Sequence, residues 1–241
     1  MPPRLRPLID PPILLARRGA NAHAPEHTTE GYELALRLGA TGLSGDAWVS
    51  ADGAVVLHAD GTVGGRLRRR RIDQCTAEEL DALPHPPLPL ERLFDHGVAL
   101  VLDVRDAAAV DPALALARRC GVIDRLWLRH PDLGLLEEWR SRSEAVHLVQ
   151  VATVTSLPGG PERHAARLRE AHVDALQMGP RDWTGGLTTL VHRFRRLAWG
   201  AGADHPRQIV ELLDDGVDAV EGGYVERLVD GARAVTGPRI G

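Results

Sequence analysis

Short apolar runs alternate with helix-like stretches along most of the chain, and this alternation constrains the fold more than any other feature. Strand–helix units repeated in this way are typical of a parallel sheet covered by helices, and eight of them favour closure into a barrel. The predicted strands span residues 13–16, 43–49, 99–104, 126–128, 146–151, 174–178, 197–200 and 219–221.

Helix-capping residues support the intervening helices. Thr28 is a plausible N-cap for a helix that ends near Leu38 and is closed by Gly39. Further helix-like stretches span residues 112–120, 132–140, 161–171, 187–195 and 206–214. No repeat, low-complexity tract or linker divides the chain. We therefore predict one (β/α)₈ barrel domain over residues 1–241.

Residues 49–98 interrupt the alternation and are predicted to leave the barrel. Asp52-Gly53 is a tight turn into an apolar hairpin arm over residues 55–58. The rest of this excursion is irregular and rich in Gly, Arg and Pro. It contains one short helix after Thr76, with Glu79 three residues later as in a capping box.

Composition excludes several classes of function. The net charge of -4 gives no reason to expect a nucleic-acid partner. Two cysteines, Cys75 and Cys120, are too few for a disulfide framework. No apolar run approaches the length of a transmembrane segment, and the first residues make a poor signal peptide because Pro11 and Pro12 interrupt them. A cytoplasmic protein is therefore expected, whereas the oligomeric state is not indicated.

Polar and charged residues follow the predicted strands at their carboxyl ends, where a parallel barrel places its chemistry. These residues are Arg17, Arg18, Asp46, Asp103, Arg105, Arg129, His130, Gln150, Gln177, Trp199 and Glu221, with His58 at the end of the hairpin arm. Arg17 and Arg18 can form a forked anion clamp, or they can pair with Asp46, Glu26 and Asp103 and neutralise the mouth of the barrel. The two interpretations are compatible.

The segment over residues 13–60 resembles the amino-terminal signature of the glycerophosphodiester phosphodiesterase family. That family typically shows His-Arg-Gly, Pro-Glu-Asn-Thr, Glu-x-Asp after the second strand, and then Asp-Gly, a short strand and His-Asp. The matching positions are Arg18-Gly19, Pro25-Glu26 with Thr28, Asp46, Asp52-Gly53 and His58.

The resemblance implies cleavage of a phosphodiester by two histidines, assisted by a calcium or magnesium ion on three carboxylates. On this chain it implies catalytic roles for His58 and Arg18 and metal contacts from Asp46 and Asp103. It also implies that a phosphorylated or anionic small molecule contacts Arg17, Arg18, Arg105 and Trp199, the last at the position of the family's Trp-Thr strand.

Four positions depart from the family pattern. Arg17 replaces the first histidine, Ser44 the first metal carboxylate, His27 an asparagine and Ala59 an aspartate. Arg17 stays protonated and so cannot act as a base. Ser44 lacks the charge that holds a hard cation, so the divalent cation is expected to bind weakly or not at all.

Two replacements stay open. His23 or His27 can take over as the second proton-transfer group, and Glu26 or Asp60 can complete a shifted metal site. Three hypotheses follow. The chain is a divergent phosphodiesterase-like barrel that still binds an anionic ligand, a pseudoenzyme used as a ligand-binding or interaction module, or a barrel with a different, metal-free reaction.

Overall fold

The structure is a computed structural model that describes residues 5–65 and 69–236. The strands, in chain order, are β1 (Ile13–Arg17), β2 (Gly42–Val49), β3 (Val55–Leu57), β4 (Thr62–Val63), β5 (Arg70–Arg71), β6 (Leu88–Pro89), β7 (Ala99–Val104), β8 (Leu126–His130), β9 (His147–Val151), β10 (Ala175–Met178), β11 (Leu197–Ala201) and β12 (Ala219–Gly222). The helices are α1 (Thr29–Leu38), α2 (Ala77–Asp81), α3 (Glu91–Phe94), α4 (Val110–Arg119), α5 (Leu133–Arg142), α6 (Pro161–Glu170), α7 (Gly185–Arg193), α8 (Pro206–Asp214) and α9 (Val225–Thr236).

Eight parallel strands close into a barrel, which confirms the predicted (β/α)₈ fold. The strand order is β1, β2, β7, β8, β9, β10, β11, β12 and back to β1, and both neighbours of β1 pair with it in parallel. The hairpin arm β3 pairs antiparallel with β2, and β6 pairs antiparallel with β3, so the excursion extends the sheet at one side of the mouth.

Alternate side chains of each barrel strand point to opposite faces, as the two-residue period of a strand requires. Outward residues such as Leu14, Leu43 and Leu100 pack beneath the helices in the main core. Inward residues form a separate apolar layer inside the barrel, which comprises Leu15, Val101, Trp127, Val149, Ala175, Trp199 and Ala219. This layer is the floor on which the mouth is built.

The predicted helix caps are present. Thr28 Oγ1 accepts a hydrogen bond from the backbone N–H of Gly31, and Gly39 ends α1 in the left-handed conformation with φ 104°. Thr76 and Glu79 form the predicted capping box at the start of α2. Helix α9, which was not predicted from the sequence, follows the last strand and packs on α8, α1 and β1.

No helix in the described part of the chain is both long and apolar enough to span a membrane.

A buried carboxylate holds the amino-terminal segment against the closed end of the barrel. Asp218 is fully buried, and its two oxygens accept hydrogen bonds from the backbone N–H groups of Leu8, Ile9 and Ala198 at 2.5, 3.0 and 2.7 Å. Its Oδ2 also lies 2.8 Å from His192 Nε2. Since buried backbone donors need partners, this one side chain satisfies several groups at once.

We expect Asp218→Ala to lower the free energy of unfolding by about 3–5 kcal/mol, because it leaves buried donors without acceptors. Urea denaturation monitored by circular dichroism measures this change. Asp230→Ala is the matched control, since Asp230 is exposed on α9 and makes only a 3.6 Å ion pair with Arg233. Equal losses in the two variants would contradict the role assigned to Asp218.

Candidate functional site

The carboxyl ends of the strands surround a cleft of about 290 Å³ at the mouth of the barrel. Ten of its lining residues occupy the last two positions of a barrel strand or directly follow one, in agreement with the placement expected of chemistry in this fold. The lining residues are Arg17, Arg18, Ser44, Asp103, Arg105, Arg129, Val151, Gln177, Ala201, Gly202 and Glu221. All the strand-end arginines of the sequence analysis are brought together here.

Asp46 lies at one side of the mouth and is almost completely buried, at 1% exposure. Arg18 Nε donates to its Oδ2 and Arg105 Nε donates to its Oδ1, each at 2.6 Å. His27 Nε2 lies 3.1 Å from Oδ2. Burial acts to raise the pKa of Asp46, but the hydrogen bonds from His27, Arg105 and Arg18 outweigh it and hold this pKa well below its usual range.

His27 is fixed behind β2 rather than free on a loop. Its side chain is buried, and its Nδ1 lies 3.0 Å from the hydroxyl of Tyr32, which donates in turn to the backbone carbonyl of Ser44. Gly45 makes this packing possible, because a Cβ there would lie 2.7 Å from Tyr32 Oη. His27 is not among the residues that line the mouth, so the structure does not support it as the replacement base.

The other replacement candidates also have partners. Glu26 accepts a hydrogen bond from Arg18 Nη1 at 2.8 Å and one from the Asn21 amide at 3.2 Å. His23 Nε2 lies 3.0 Å from Glu226 at the start of α9, on the exposed surface. Asp60 pairs with Arg69 in the excursion. None of these side chains lines the mouth, so the geometry gives neither a second proton-transfer group nor a shifted metal site.

A second buried cluster fills the base of the mouth around Arg129, whose side chain is 5% exposed. Arg129 donates from Nε to Asp103 Oδ1 at 2.8 Å and from Nη2 to Asp103 Oδ2, a bidentate pair. Its Nη1 donates to Gln177 Oε1 at 2.7 Å and to Glu221 Oε2 at 2.9 Å.

Glu221 completes this cluster, and both of its carboxylate oxygens are occupied. The hydroxyl of Ser44 donates to Oε1 at 2.6 Å, and the Gln177 amide donates to Oε2 at 3.0 Å beside Arg129. Burial acts to raise the pKa of Glu221, yet the positive charge of Arg129 and the hydrogen bonds outweigh it and lower this pKa. Burial likewise acts to lower the pKa of Arg129, but Glu221 and Asp103 raise it.

Arginines outnumber carboxylates at the mouth. Arg17, Arg18, Arg105 and Arg129 line the cleft, and the carboxylates that pair with lining arginines there are Asp46, Asp103 and Glu221, with Glu26 outside the cleft on Arg18. Within the described residues Arg17 is exposed and forms no ion pair, so one guanidinium is available to a ligand. Arg105 uses Nε for Asp46 and is 47% exposed, which leaves its terminal nitrogens near the opening.

His58 lies at the end of β3, as predicted, but it does not line the mouth. It opens onto a neighbouring cleft of about 450 Å³ together with Asp60, Arg69 and His85. Its Nδ1 lies 3.5 Å from Asp60 Oδ1, and partial burial lowers its pKa. The backbone N–H of His58 donates to the carbonyl of Asp46 at 3.1 Å, so His58 lies beside Asp46 although it lines the neighbouring cleft.

Trp199, for which the resemblance implies a ligand contact, lies beneath the mouth. Its side chain is completely buried, and its ring centroid lies 4.7 Å from that of Trp127 in the apolar layer beneath the mouth. Trp199 is one inward position before Ala201 on β11, and Ala201 is the residue that lines the cleft. The indole therefore lies one layer deeper than the cleft, in the apolar floor of the barrel.

The oxygen atoms of the expected metal site do not fit a divalent cation. Asp46 and Asp103 are register partners on β2 and β7, but arginines hold the oxygens of both. No group of three or more His, Cys, Asp or Glu side chains within residues 5–65 and 69–236 has an arrangement that could hold a metal ion. The sequence analysis named Arg129, Gln177 and Glu221 as strand-end residues but missed their mutual contacts, because pairing across the barrel depends on strand register.

Comparison with known proteins supports the resemblance and the fold. Residues 18–121 match the model of the glycerophosphoryl diester phosphodiesterase family. A curated relative from Mycobacterium tuberculosis, named "Probable glycerophosphodiester phosphodiesterase 1", is 47% identical over 49 residues. That alignment covers 20% of this chain and 18% of the relative, so the chain matches less than a fifth of the relative's length.

Solved structures show the same fold at low identity. A glycerophosphodiester phosphodiesterase from Thermotoga maritima has a TM-score of 0.78 and 21% identity, with 90% of this chain and 97% of that chain covered. An Oleispira antarctica phosphodiesterase in complex with the product sn-glycerol-3-phosphate has a TM-score of 0.78 and 16% identity, with 91% and 96% covered.

The lowered pKa of Asp46 determines how the free energy of unfolding changes with pH. Because its folded pKa lies below its unfolded value, its contribution to stability is present above about pH 4 and is lost as the pH falls toward the folded pKa. We expect Asp46→Asn to lower the free energy of unfolding at neutral pH by about 1.5–3 kcal/mol. We also expect a shallower loss of stability between about pH 5 and pH 2 than in the wild type.

Denaturant unfolding across this pH range tests both effects. Asp111→Asn serves as the control, because Asp111 is exposed on α4 and pairs only with Arg142 at the surface. An Asp46→Asn variant with the wild-type acid slope would show that the carboxylate is not stabilised as the contacts indicate.

Proposed function

We propose that this chain, which belongs to the glycerophosphodiester phosphodiesterase family, binds a phosphorylated small molecule at the mouth of its barrel and does not hydrolyse phosphodiesters. The observation that carries the proposal is the charge arrangement of the mouth. Arg17 is exposed there without a carboxylate partner, whereas each carboxylate of the mouth is held by at least one arginine.

The free donors favour an anionic ligand. Arg17 presents a whole guanidinium, and Arg105 presents the terminal nitrogens that Asp46 does not use. Planar guanidinium forks match phosphate oxygens in pairs and form charge-assisted hydrogen bonds. A phosphate on Arg17 neutralises a guanidinium that has no carboxylate partner, whereas a divalent cation would add to the positive charge of the four arginines.

The relatives suggest which phosphate to try first. The Oleispira antarctica phosphodiesterase was solved in complex with the product sn-glycerol-3-phosphate. A phosphate monoester of this size suits a cleft of about 290 Å³. We therefore extend this ligand class to the present chain, in which the phosphate contacts Arg17 and Arg105.

The proton-transfer groups needed for hydrolysis are not assembled at this mouth. Arg17 stays protonated, His27 is engaged by Asp46 and Tyr32, and His58 faces the neighbouring cleft. General acid–base catalysis requires a group within hydrogen-bond reach of the reacting oxygen. These positions favour the ligand-binding barrel over the active phosphodiesterase among the hypotheses that the sequence leaves open.

Replacing Arg17 tests the binding site. We expect sn-glycerol-3-phosphate to bind the wild-type chain, and Arg17→Met to raise the Kd by about 10–100-fold, because a charge-assisted pair of hydrogen bonds is lost. Isothermal titration calorimetry measures both constants. Arg37→Met is the matched control, since Arg37 is an exposed arginine of α1 that pairs only with Glu33 at 3.7 Å. An affinity unaltered by Arg17→Met would overturn the proposed site.

A turnover assay tests the absence of hydrolysis. We expect no release of sn-glycerol-3-phosphate from glycerophosphodiesters, with or without added calcium or magnesium. His58→Ala is assayed alongside, because the resemblance assigns an acid–base role to this residue. Metal-dependent hydrolysis that disappears in His58→Ala would refute the proposal and favour an active phosphodiesterase.

A further inference from the structure

The guanidinium of Arg129 is surrounded by oxygen atoms of other side chains. Four oxygen atoms from three strands converge on it, namely both carboxylate oxygens of Asp103, Oε1 of Gln177 and Oε2 of Glu221. Two carboxylates and one amide carbonyl are hard oxygen donors, the kind that calcium and magnesium prefer. The centre of this oxygen cage is occupied by the side chain of the chain's own arginine.

The charges of the cage agree with this arrangement. Asp103 and Glu221 carry two negative charges, and the side chain of Glu221 is 5% exposed. Buried carboxylates of this kind need a cation nearby, because an unpaired buried charge costs several kcal/mol. Arg129 supplies one positive charge at 5% exposure, and its planar fork satisfies Asp103 in a bidentate way.

Ser44 also contacts this cluster, and its contact agrees with a cation at position 129. Its hydroxyl donates to Glu221 Oε1 at 2.6 Å, so it acts on the carboxylate as a hydrogen-bond donor. A carboxylate at this position would face Glu221 with like charge and would need a further cation between them. A serine at position 44 and an arginine at position 129 are therefore complementary, since both neutralise or donate to Glu221.

We infer that the guanidinium of Arg129 is a built-in cation that takes the place of a divalent metal ion at the base of the mouth and closes this barrel to such ions. The inference does not rest on the ligand proposed above. Failure of sn-glycerol-3-phosphate to bind would leave the contacts of Arg129 and their test unaffected.

Removing the guanidinium tests the inference. Arg129→Met keeps the bulk of the side chain but leaves Asp103 and Glu221 facing each other without a cation. We expect the melting temperature of this variant to rise by about 5–10 °C in calcium or magnesium at about 100 times its Kd, and the wild type not to respond. Differential scanning fluorimetry measures the shift, and calorimetric titration with the metal ion alone measures the stoichiometry.

Two further variants separate charge from packing. Arg129→Lys retains a cation in the cage, so we expect no response to divalent ions. Arg129→Met combined with Glu221→Gln removes one carboxylate, so we expect the gain seen in Arg129→Met to disappear. An Arg129→Met chain that folds only when calcium or magnesium is added would also support the inference, and circular dichroism detects that case.

Three results would overturn it. The first is a wild-type chain that binds calcium or magnesium in a way that Glu221→Gln abolishes. The second is a folded Arg129→Met chain with no response to either ion. The third is an Arg129→Met chain that stays unfolded in both ions.

Discussion

The salt bridge between Arg129 and the carboxylates of Asp103 and Glu221 is the interaction on which the mouth of this barrel depends. These side chains come from β8, β7 and β12 and meet above an apolar floor, where Arg129 and Glu221 are buried and Asp103 is partly exposed. Each charge is therefore tolerated only because the other two are present. Side chains of the chain itself thus neutralise the two carboxylates at the base of the mouth.

Asp46, a second buried carboxylate at the mouth, is likewise stabilised by arginines. Asp46 accepts from Arg18 and Arg105, so the arginines that approach the mouth from β1 and β7 are partly committed to the structure. Arg17 differs because no carboxylate of the described chain faces it. Neighbouring arginines of one cleft thus have different roles: Arg18 and Arg105 help to stabilise the structure, and Arg17 is available to a ligand. Their partners distinguish these roles, and a list of charged residues does not show those partners.

This division also shows how far the sequence could be interpreted. Strand periodicity predicted the eight barrel strands, and the strand-end rule brought Arg17, Asp46 and Asp103 to one mouth, since both follow from local patterns. The contact between Arg129 and Glu221 could not be predicted from these patterns. It joins residues 92 positions apart and depends on the stagger of the strands. The depth of Trp199 in the barrel is likewise a property of register, so its burial beneath the mouth could not be predicted from local patterns.

The contacts of Ser44 and Arg129 bear on the departures that the resemblance implies. Of the four departures, two concern the predicted base and metal ligand, namely an arginine for a histidine at position 17 and a serine for a carboxylate at position 44. The structure adds a third feature, since Arg129 already fills the oxygen cage and Ser44 donates to Glu221. A histidine at 17 and a glutamate at 44 would therefore restore a base and a ligand without vacating the place of the cation. Ser44 and Arg129 contact the same carboxylate, so the charge at position 129 determines what a change at position 44 can do.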